Sequence, residues 1–222
     1  MISLKPILKK DSAIIIPYSV FLIGGIIILL IFSKVTIHLF INRLNTPFFD
    51  YFFKYLTQFG AFLLIGPIIL ILALVKYRFA LIAAVSSTIA SLLVQVLKRV
   101  ADTPRPKVVF EHLIPLHVVD NVRLHSMHSF PSGHTAGAFA LFIVLALITR
   151  HPTYKFLFLT LAILVGYSRM YLSQHFLIDV EAGSFVGTVS AFGCFYWLNN
   201  KKYRSIKYLD GSILTSLKAK KH

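Results

Sequence analysis

The sequence predicts an all-α membrane protein with six transmembrane helices, on the strength of its composition and its charge-poor segments. Of its 222 residues, 57% are hydrophobic. Only 14% are charged, against roughly 25% in soluble domains. The mean hydropathy is +0.76. A soluble fold of this size could not bury so much apolar side chain, and the length favours a single domain over residues 1–222.

Six apolar stretches are candidate spans, since a bilayer span needs about 17 to 25 predominantly apolar residues. The expected helices cover residues 12–33, 55–75, 79–97, 131–149, 156–173 and 178–200. The fifth reaches a spanning length only if it continues past Arg169. A basic tail, residues 201–222, follows the sixth and is expected to be mobile.

The distribution of positive charge predicts the orientation. If the N-terminus is inside, 14 of the 23 Lys and Arg residues lie on inner segments, among them Lys5, Lys9, Lys220 and Lys221. The positive-inside rule then predicts cytoplasmic N and C termini. This distribution, with attraction to anionic membrane lipids, explains the net charge of +15 without a nucleic-acid partner.

This topology brings four helix ends to the outer membrane face: the end of helix three, the start of four, the end of five and the start of six. The candidate site residues at these ends are Lys98, Arg105, Ser132, Gly133, His134, Arg169, His175 and Asp179. Three cations beside a helix N-terminus would bind a tetrahedral oxyanion. Other charged residues nearby, Glu181 among them, are interpreted as solvated or as headgroup contacts.

Arg169 lies within the length that the fifth helix needs to span. A charge at the centre of a membrane helix costs about 2.5 to 3.5 kcal/mol on insertion scales, so an intramembrane arginine indicates a functional site. The alternative is that its side chain extends to the outer surface.

His175 and Asp179 have i, i+4 spacing, which would place them on one helix face. The carboxylate could then hold one imidazole nitrogen and leave the other as a nucleophile. An interfacial ion pair is the alternative interpretation.

The segment around Pro131 predicts a helix start, with Ser129 or Phe130 near the cap and Pro131 in the first turn. Backbone N–H groups at a helix N-terminus bind anions, and Gly133 would let an anion approach closely, with His134 beside it. A plain turn is the alternative.

Together these residues resemble the type 2 phosphatidic acid phosphatase (PAP2) superfamily of membrane lipid phosphatases. Its three motifs are K-x6-RP, PSGH and SR-x5-H-x3-D. The chain carries the three motifs in this order and with the family's spacing. They cover Lys98 to Pro106, Pro131 to His134, and Ser168 to Asp179. The six-helix prediction agrees with the family.

The resemblance implies metal-independent hydrolysis of a phosphomonoester or pyrophosphate through a phosphohistidine, with no cofactor. His175 is then the nucleophile, Asp179 its orienting partner and His134 the general acid. The implied phosphate-binding residues are Lys98, Arg105, Ser132, Gly133 and Arg169. The partner would be a phosphorylated lipid: undecaprenyl pyrophosphate, phosphatidylglycerol phosphate, lipid A phosphate or phosphatidic acid. The expected location is a bacterial inner membrane, with the site facing the periplasm.

Three alternatives stay open from the sequence. Intramembrane ionisable residues also suit a transporter or a binding protein for a phosphorylated lipid, although transporter sites typically lie near the midplane. Vanadium haloperoxidases share the oxyanion pocket but suit a soluble helical body. A histidine cluster in the outer loop could suggest zinc, but it lacks the usual ligand spacing; its members are His112, His117, His125, His128 and His134.

Overall fold

The computed structural model describes residues 10–113 and 115–219, and within these ranges the chain forms helices and no strands. Lys5, Lys9, Lys220 and Lys221, four of the residues that predict the inner side, lie outside the described residues. The α-helices are α1 Ser12–Ile31, α2 Lys34–Asn42, α3 Pro47–Leu56, α4 Phe62–Val75, α5 Tyr77–Ala101, α6 Pro106–Phe110, α7 Gly133–Ile148, α8 Pro152–Tyr171, α9 Leu177–Leu198, α10 Lys201–Arg204 and α11 Ile213–Ala219. Two 3₁₀ turns cover Thr57–Gly60 and Lys207–Asp210.

Several of these helices suit a bilayer. Among the described residues, α1, the stretch Tyr77–Phe110 and α9 are each long and apolar enough to cross one. Pro47–Gly60 and Phe62–Val75 together suit a fourth crossing, bent by 57°. The all-helical membrane class is therefore confirmed, whereas the count of six spans and the orientation of the termini stay predictions.

The prediction of one continuous helix over residues 55–75 is wrong. Thr46 caps α3 by accepting a hydrogen bond from the Phe49 N–H at 3.2 Å, so helix begins well before residue 55. It then breaks at Ala61, whose backbone is extended. Gly60, at the break, packs so closely that an added Cβ would lie 2.3 Å from the His134 carbonyl oxygen. Tertiary packing therefore bends this segment against α7.

Helix α7 is the centre of the bundle and packs against α5, α8 and α9. It is apolar on every side, as expected for a helix surrounded by others. Two glycines of α9 let the backbones approach: a Cβ on Gly183 would lie 2.5 Å from the Ser132 carbonyl oxygen, and one on Gly187 would lie 2.4 Å from that of Ala136. This close contact of Gly183 and Gly187 with α7, the helix seam, fixes the start of α9 beside the start of α7.

The described part of the segment after α9 packs against the start of α5, contrary to the expectation of a mobile tail. Arg78, 3% exposed, donates all five of its guanidinium N–H groups, one to Leu198 at the end of α9 and four to the segment that follows. The acceptors are the carbonyl oxygens of Leu198, Tyr203, Arg204 and Ile206 and the carboxylate of Asp210. Lys76 also pairs with Asp210 at 2.8 Å.

Candidate active site

The four helix ends that the topology predicts to converge do meet. The Ser132 N–H, at the start of α7, donates to the Asp179 carbonyl oxygen in α9 at 2.9 Å. The Arg169 carbonyl oxygen, at the end of α8, accepts from the His175 N–H at 3.1 Å. Arg105, beyond α5, donates from Nη1 to the Gln174 carbonyl oxygen at 3.3 Å. Residues more than 70 positions apart therefore share one small volume.

His175 lies in the loop between α8 and α9, not on a helix face as the i, i+4 spacing suggested. Phe176 caps α9, and its N–H donates to Asp179 Oδ2 at 2.9 Å. The same oxygen accepts from the Ser129 hydroxyl. His175 Nδ1 lies 3.5 Å from Asp179 Oδ2, longer than a normal hydrogen bond. The cap geometry therefore holds the carboxylate against the imidazole.

The His175 imidazole is only 2% exposed. Burial lowers the pKa of His175 to about 3; Arg169 and Arg105 lower it further, and Asp179 opposes them. At neutral pH the ring is therefore uncharged, and an uncharged imidazole has the lone pair that nucleophilic attack requires.

The start of α7 differs from the prediction by the position of its cap. Ser132 is the capping residue, and its Oγ accepts from the Thr135 N–H at 3.4 Å and from the Thr135 hydroxyl at 2.8 Å. Pro131 therefore precedes the cap instead of standing in the first turn. Gly133 is the first helical residue, and His134 follows it.

Two of the three predicted phosphate-binding cations donate to backbone carbonyls of the outer loop. Lys98 Nζ donates to the His128 carbonyl oxygen. Arg105 donates from Nε to the Met127 carbonyl oxygen at 3.0 Å and from Nη2 to that of His128 at 3.5 Å. Lys98 and Arg105 therefore share an acceptor and stand side by side.

The third cation, Arg169, is 7% exposed. Its side chain makes fewer hydrogen bonds than that of Arg105. Its Nη1 donates to the Thr57 hydroxyl at 2.7 Å, but among the described residues its Nε has no hydrogen-bond partner. An orphaned buried guanidinium N–H is costly in a folded protein, so it points to a missing acceptor.

His125 in the outer loop lies near the three predicted cations and Arg123. Burial lowers the pKa of His125, and the charges of Arg105, Arg123, Arg169 and Lys98 lower it further. His134 lies within the electrostatic reach of His175 and of the same three predicted cations. The positive potential that the sequence predicted is therefore concentrated at one place.

A cavity of about 570 Å³ opens beside this cluster, and Gly133 and His134 form part of its lining. The other walls come from Thr57–Gly60, α4 and α5. It is largely apolar, with Ile65 and Leu92 among its lining residues. It therefore has room for part of an apolar ligand next to the ionisable cluster.

Two residues of the site, Thr57 and Gln174, escaped the sequence reasoning, and Ser129 was expected only near the helix cap. Ser129 binds Asp179. Gln174 offers Oε1 to Arg105 at 3.2 Å and donates from Nε2 to the Arg123 carbonyl oxygen at 3.0 Å. The positions of Ser129 and Gln174 next to motif residues could have indicated them, whereas nothing local to Thr57 could.

No group of three metal-ligating side chains occurs among the described residues. Two of the loop histidines pair separately with carboxylates: His117 with Asp50 at 2.9 Å and His128 with Asp102 at 3.0 Å. The zinc interpretation gains no support from this arrangement.

A helical membrane bundle with a buried imidazole–carboxylate pair and three converging cations defines an anion-handling membrane protein. The model of the PAP2 superfamily matches residues 79–203, more than half of the chain. The chain therefore belongs to the PAP2 superfamily. The match confirms the resemblance seen in the three motifs and the enzyme class that it predicted.

Two curated relatives are similar to this chain. The bacitracin transport permease protein BcrC of Bacillus licheniformis is 36% identical over 80 residues, which cover 36% of this chain and 35% of that protein. The chain thus aligns with only about a third of that relative's length. The lipid A 4'-phosphatase of Bacteroides thetaiotaomicron is 26% identical over 170 residues, covering 73% of this chain and 75% of that protein.

Two solved structures share the fold. LpxE of Aquifex aeolicus superposes with a TM-score of 0.66 at 25% identity, covering 72% of this chain and 93% of that one. A PAP2-type phosphatidylglycerolphosphate phosphatase from Bacillus subtilis superposes with a TM-score of 0.64 at 24% identity, covering 86% and 98%. The second likeness bears on the fold alone.

Proposed function

We propose that this protein is a metal-independent lipid phosphatase that cleaves a phosphomonoester or pyrophosphate through a phosphohistidine on His175. The observation that carries the proposal is the uncharged, buried His175 held against Asp179, with Lys98, Arg105 and Arg169 beside it. Cations near a neutral nucleophile stabilise charge on a phosphoryl group without a metal. The names of the relatives support the same chemistry.

In the first step, His175 Nε2 attacks phosphorus while Asp179 holds Nδ1–H. The bond from phosphorus to the leaving oxygen breaks, and His134 gives that oxygen a proton. In the second step, water attacks the phosphohistidine, the P–N bond breaks, and His134 takes the proton from the water. Together the two steps replace one difficult displacement by two easier ones.

The proposed phosphate-binding residues are Lys98, Arg105 and Arg169, with Ser132 and Gly133 at the start of α7. Since Lys98 and Arg105 donate to loop carbonyls, phosphate binding requires them to exchange the His128 carbonyl oxygen for phosphate oxygens. Arg169 needs no such exchange at Nε. We therefore expect Arg169 to contact the phosphate first.

For the membrane arrangement, we propose six crossings, cytoplasmic N and C termini, and a site that faces the periplasm of a bacterial inner membrane. The positive-inside rule supports this orientation. The position of the ionisable cluster at helix ends supports an enzyme that works at the headgroup level and not a transporter with a midplane site.

The test is phosphate release by the purified protein in detergent, with EDTA present. The four candidate substrates are undecaprenyl pyrophosphate, phosphatidylglycerol phosphate, lipid A and phosphatidic acid. His175→Ala should reduce the rate more than about 1,000-fold, because removal of a nucleophile abolishes the covalent route. His112→Ala, at an exposed loop histidine, is the matched control and should keep its activity. Near-normal turnover by His175→Ala, or labelled phosphate trapped on His134, would overturn the assignment.

A further inference from the structure

A second cavity, of about 400 Å³, opens at the end of the bundle opposite the candidate active site. Its lining comes from the chain just before α1, the start of α5, the end of α9 and the segment that follows α9. The charged side chains in this lining are those of Lys10, Lys76, Arg78, Arg204 and Asp210. Four cations of the described chain therefore share the cavity lining with a single carboxylate.

Two of these four cations are already used by the protein. Arg78 donates all five of its guanidinium N–H groups to the chain, and Lys76 pairs with Asp210 at 2.8 Å. The other two are Lys10 and Arg204, whose side chains make no hydrogen bond or ion pair among the described residues. The only carboxylate of the lining is thus taken, and two cations are left without a counter-anion.

The cavity lies at the level of lipid headgroups. Lys76, just before α5, and Lys98, near its end, are 22 residues apart, so a rise of about 1.5 Å per residue separates them by about 33 Å. This distance matches the hydrocarbon thickness of a bilayer, about 30 Å. The aromatic part of the lining is formed by Phe79, Phe195 and Tyr196, which lie within α5 and α9. Cations therefore stand at the membrane boundary, with rings on the bilayer side of them.

We propose that this cavity binds the headgroup of an anionic phospholipid from the leaflet opposite the candidate active site. Its phosphodiester oxygens would accept hydrogen bonds from Lys10 and Arg204, and its acyl chains would leave past Phe79 and Phe195. Basic pockets between transmembrane helices are known to take anionic headgroups in this way. The bound lipid is a ligand and not a substrate, so the inference does not depend on the proposed phosphatase activity.

The lining favours an anionic lipid over the other phosphate-bearing ligands. A free phosphate ion would leave the aromatic rings without a partner. A zwitterionic headgroup would bring a second positive charge beside Lys76 and Arg78, where the carboxylate of Asp210 is already paired with both. Only a headgroup with net negative charge and acyl chains matches both parts of the lining.

The test titrates the purified protein in detergent at low salt with phosphatidylglycerol or with phosphatidylcholine of the same acyl chains. Native mass spectrometry measures the two dissociation constants. The wild type should bind phosphatidylglycerol more tightly. The double variant Lys10→Gln/Arg204→Gln should weaken that binding by about 10- to 30-fold, because each cation near an anionic headgroup contributes about fivefold in affinity. Its binding of phosphatidylcholine should change little.

The matched control is Lys202→Gln/Lys207→Gln. It removes the same charge from the segment after α9, but neither side chain lines the cavity. This variant should keep the wild-type affinity for phosphatidylglycerol. Since the ratio of the two lipid affinities is taken within each variant, partial loss of folded protein cancels. Inorganic phosphate, added at millimolar concentration, should not displace the lipid.

A second measurement locates the lipid in the wild type without any substitution. Phosphatidylglycerol with a photoreactive diazirine on its headgroup is crosslinked to the protein, and the labelled peptides are mapped by mass spectrometry. Labels should fall on Lys10 or on residues 199–204.

Four outcomes would each overturn the inference: equal affinity for the two lipids, equal loss in the two double variants, displacement by inorganic phosphate, or labels confined to the His175 end of the bundle. None of them bears on phosphate release, because no step of the test measures it.

Discussion

The two ends of the bundle each bury an arginine, and they treat it differently. Arg78 lies at the start of α5, and its five N–H groups all reach protein acceptors. Arg169, at the site end, makes one hydrogen bond to Thr57 among the described residues and leaves Nε unpartnered. The two arginines are therefore similarly buried, but only the Arg78 side chain has a hydrogen-bond acceptor for every N–H group.

Two other buried charges at the Arg78 end, Lys155 and Asp11, are paired as well. Lys155 Nζ lies 3.4 Å from the Asp11 carboxylate, which also accepts from the Tyr196 hydroxyl. A fully satisfied buried network fixes a structure, whereas an unsatisfied buried donor indicates a group reserved for something else. The comparison teaches that two arginines of similar burial and equal charge can differ in hydrogen-bond satisfaction, and that the less satisfied one is the arginine that we propose binds phosphate.

The largest expected effect is at the site end. Arg169→Met should lower kcat/KM for phosphate release by about 100- to 1,000-fold, as removal of one donor to a developing oxyanion does. Thermal unfolding should change little, because the Arg169 side chain makes a hydrogen bond only to Thr57 in the described chain. A large fall in stability with retained activity would show that Arg169, like Arg78, serves the fold and not phosphate release.

Arg78→Met should show the opposite pattern. It removes the Arg78 donor from four carbonyl oxygens and leaves Asp210 with Lys76 alone of these two cations. We expect a loss of about 2 to 4 kcal/mol in the free energy of unfolding, since orphaned buried acceptors are costly. Activity measured well below the unfolding temperature should stay within about threefold of wild type. Proteolysis of the tail, followed by mass spectrometry, should accelerate.

The helix seam at the site end can be tested with a matched pair on α9. Gly183→Ala would place its Cβ 2.5 Å from the Ser132 carbonyl oxygen, and we expect a loss of about 1 to 3 kcal/mol in stability. Gly193→Ala meets nothing within 4 Å and serves as the control. Equal melting temperatures for the two variants would show that the seam tolerates a side chain.

The smallest effect expected is on the pH dependence. Burial holds the pKa of His175 at about 3, below the ordinary histidine value. The nucleophile therefore stays neutral in mild acid, and the acid limb of kcat/KM should lie well below about pH 6.5. At the other end, bonds from Lys76 and Arg78 lower the pKa of Asp210, so the tail contact should also persist in mild acid. An acid limb centred at about pH 6.5 would contradict this assignment.

Proton linkage at His175 predicts a matching trend in stability. Because its folded-state pKa is lower than its unfolded value, the unfolded chain binds the proton more readily. The free energy of unfolding should therefore fall as the pH drops below about 6.5 and level off near the folded value.

Much of the site could be predicted because its signals are local. The i, i+4 spacing of His175 and Asp179 and the charge of Arg169 in an apolar stretch can be seen in the sequence. The break at Ala61 could not, since it depends on packing of Gly60 against His134. The burial of Glu181 was also missed: it is 5% exposed and lies where Gly25 lacks a side chain, not in solvent.

By itself the sequence determined the helical membrane class, the helix ends that meet and the residue types gathered there, because hydropathy and motif spacing are properties of neighbouring residues. The tertiary structure decided which buried cations are satisfied and which are not. Arg78 finds Leu198 across 120 positions, while Arg169 finds only Thr57 across 112. Such pairings depend on which helices pack together, and no local pattern encodes that.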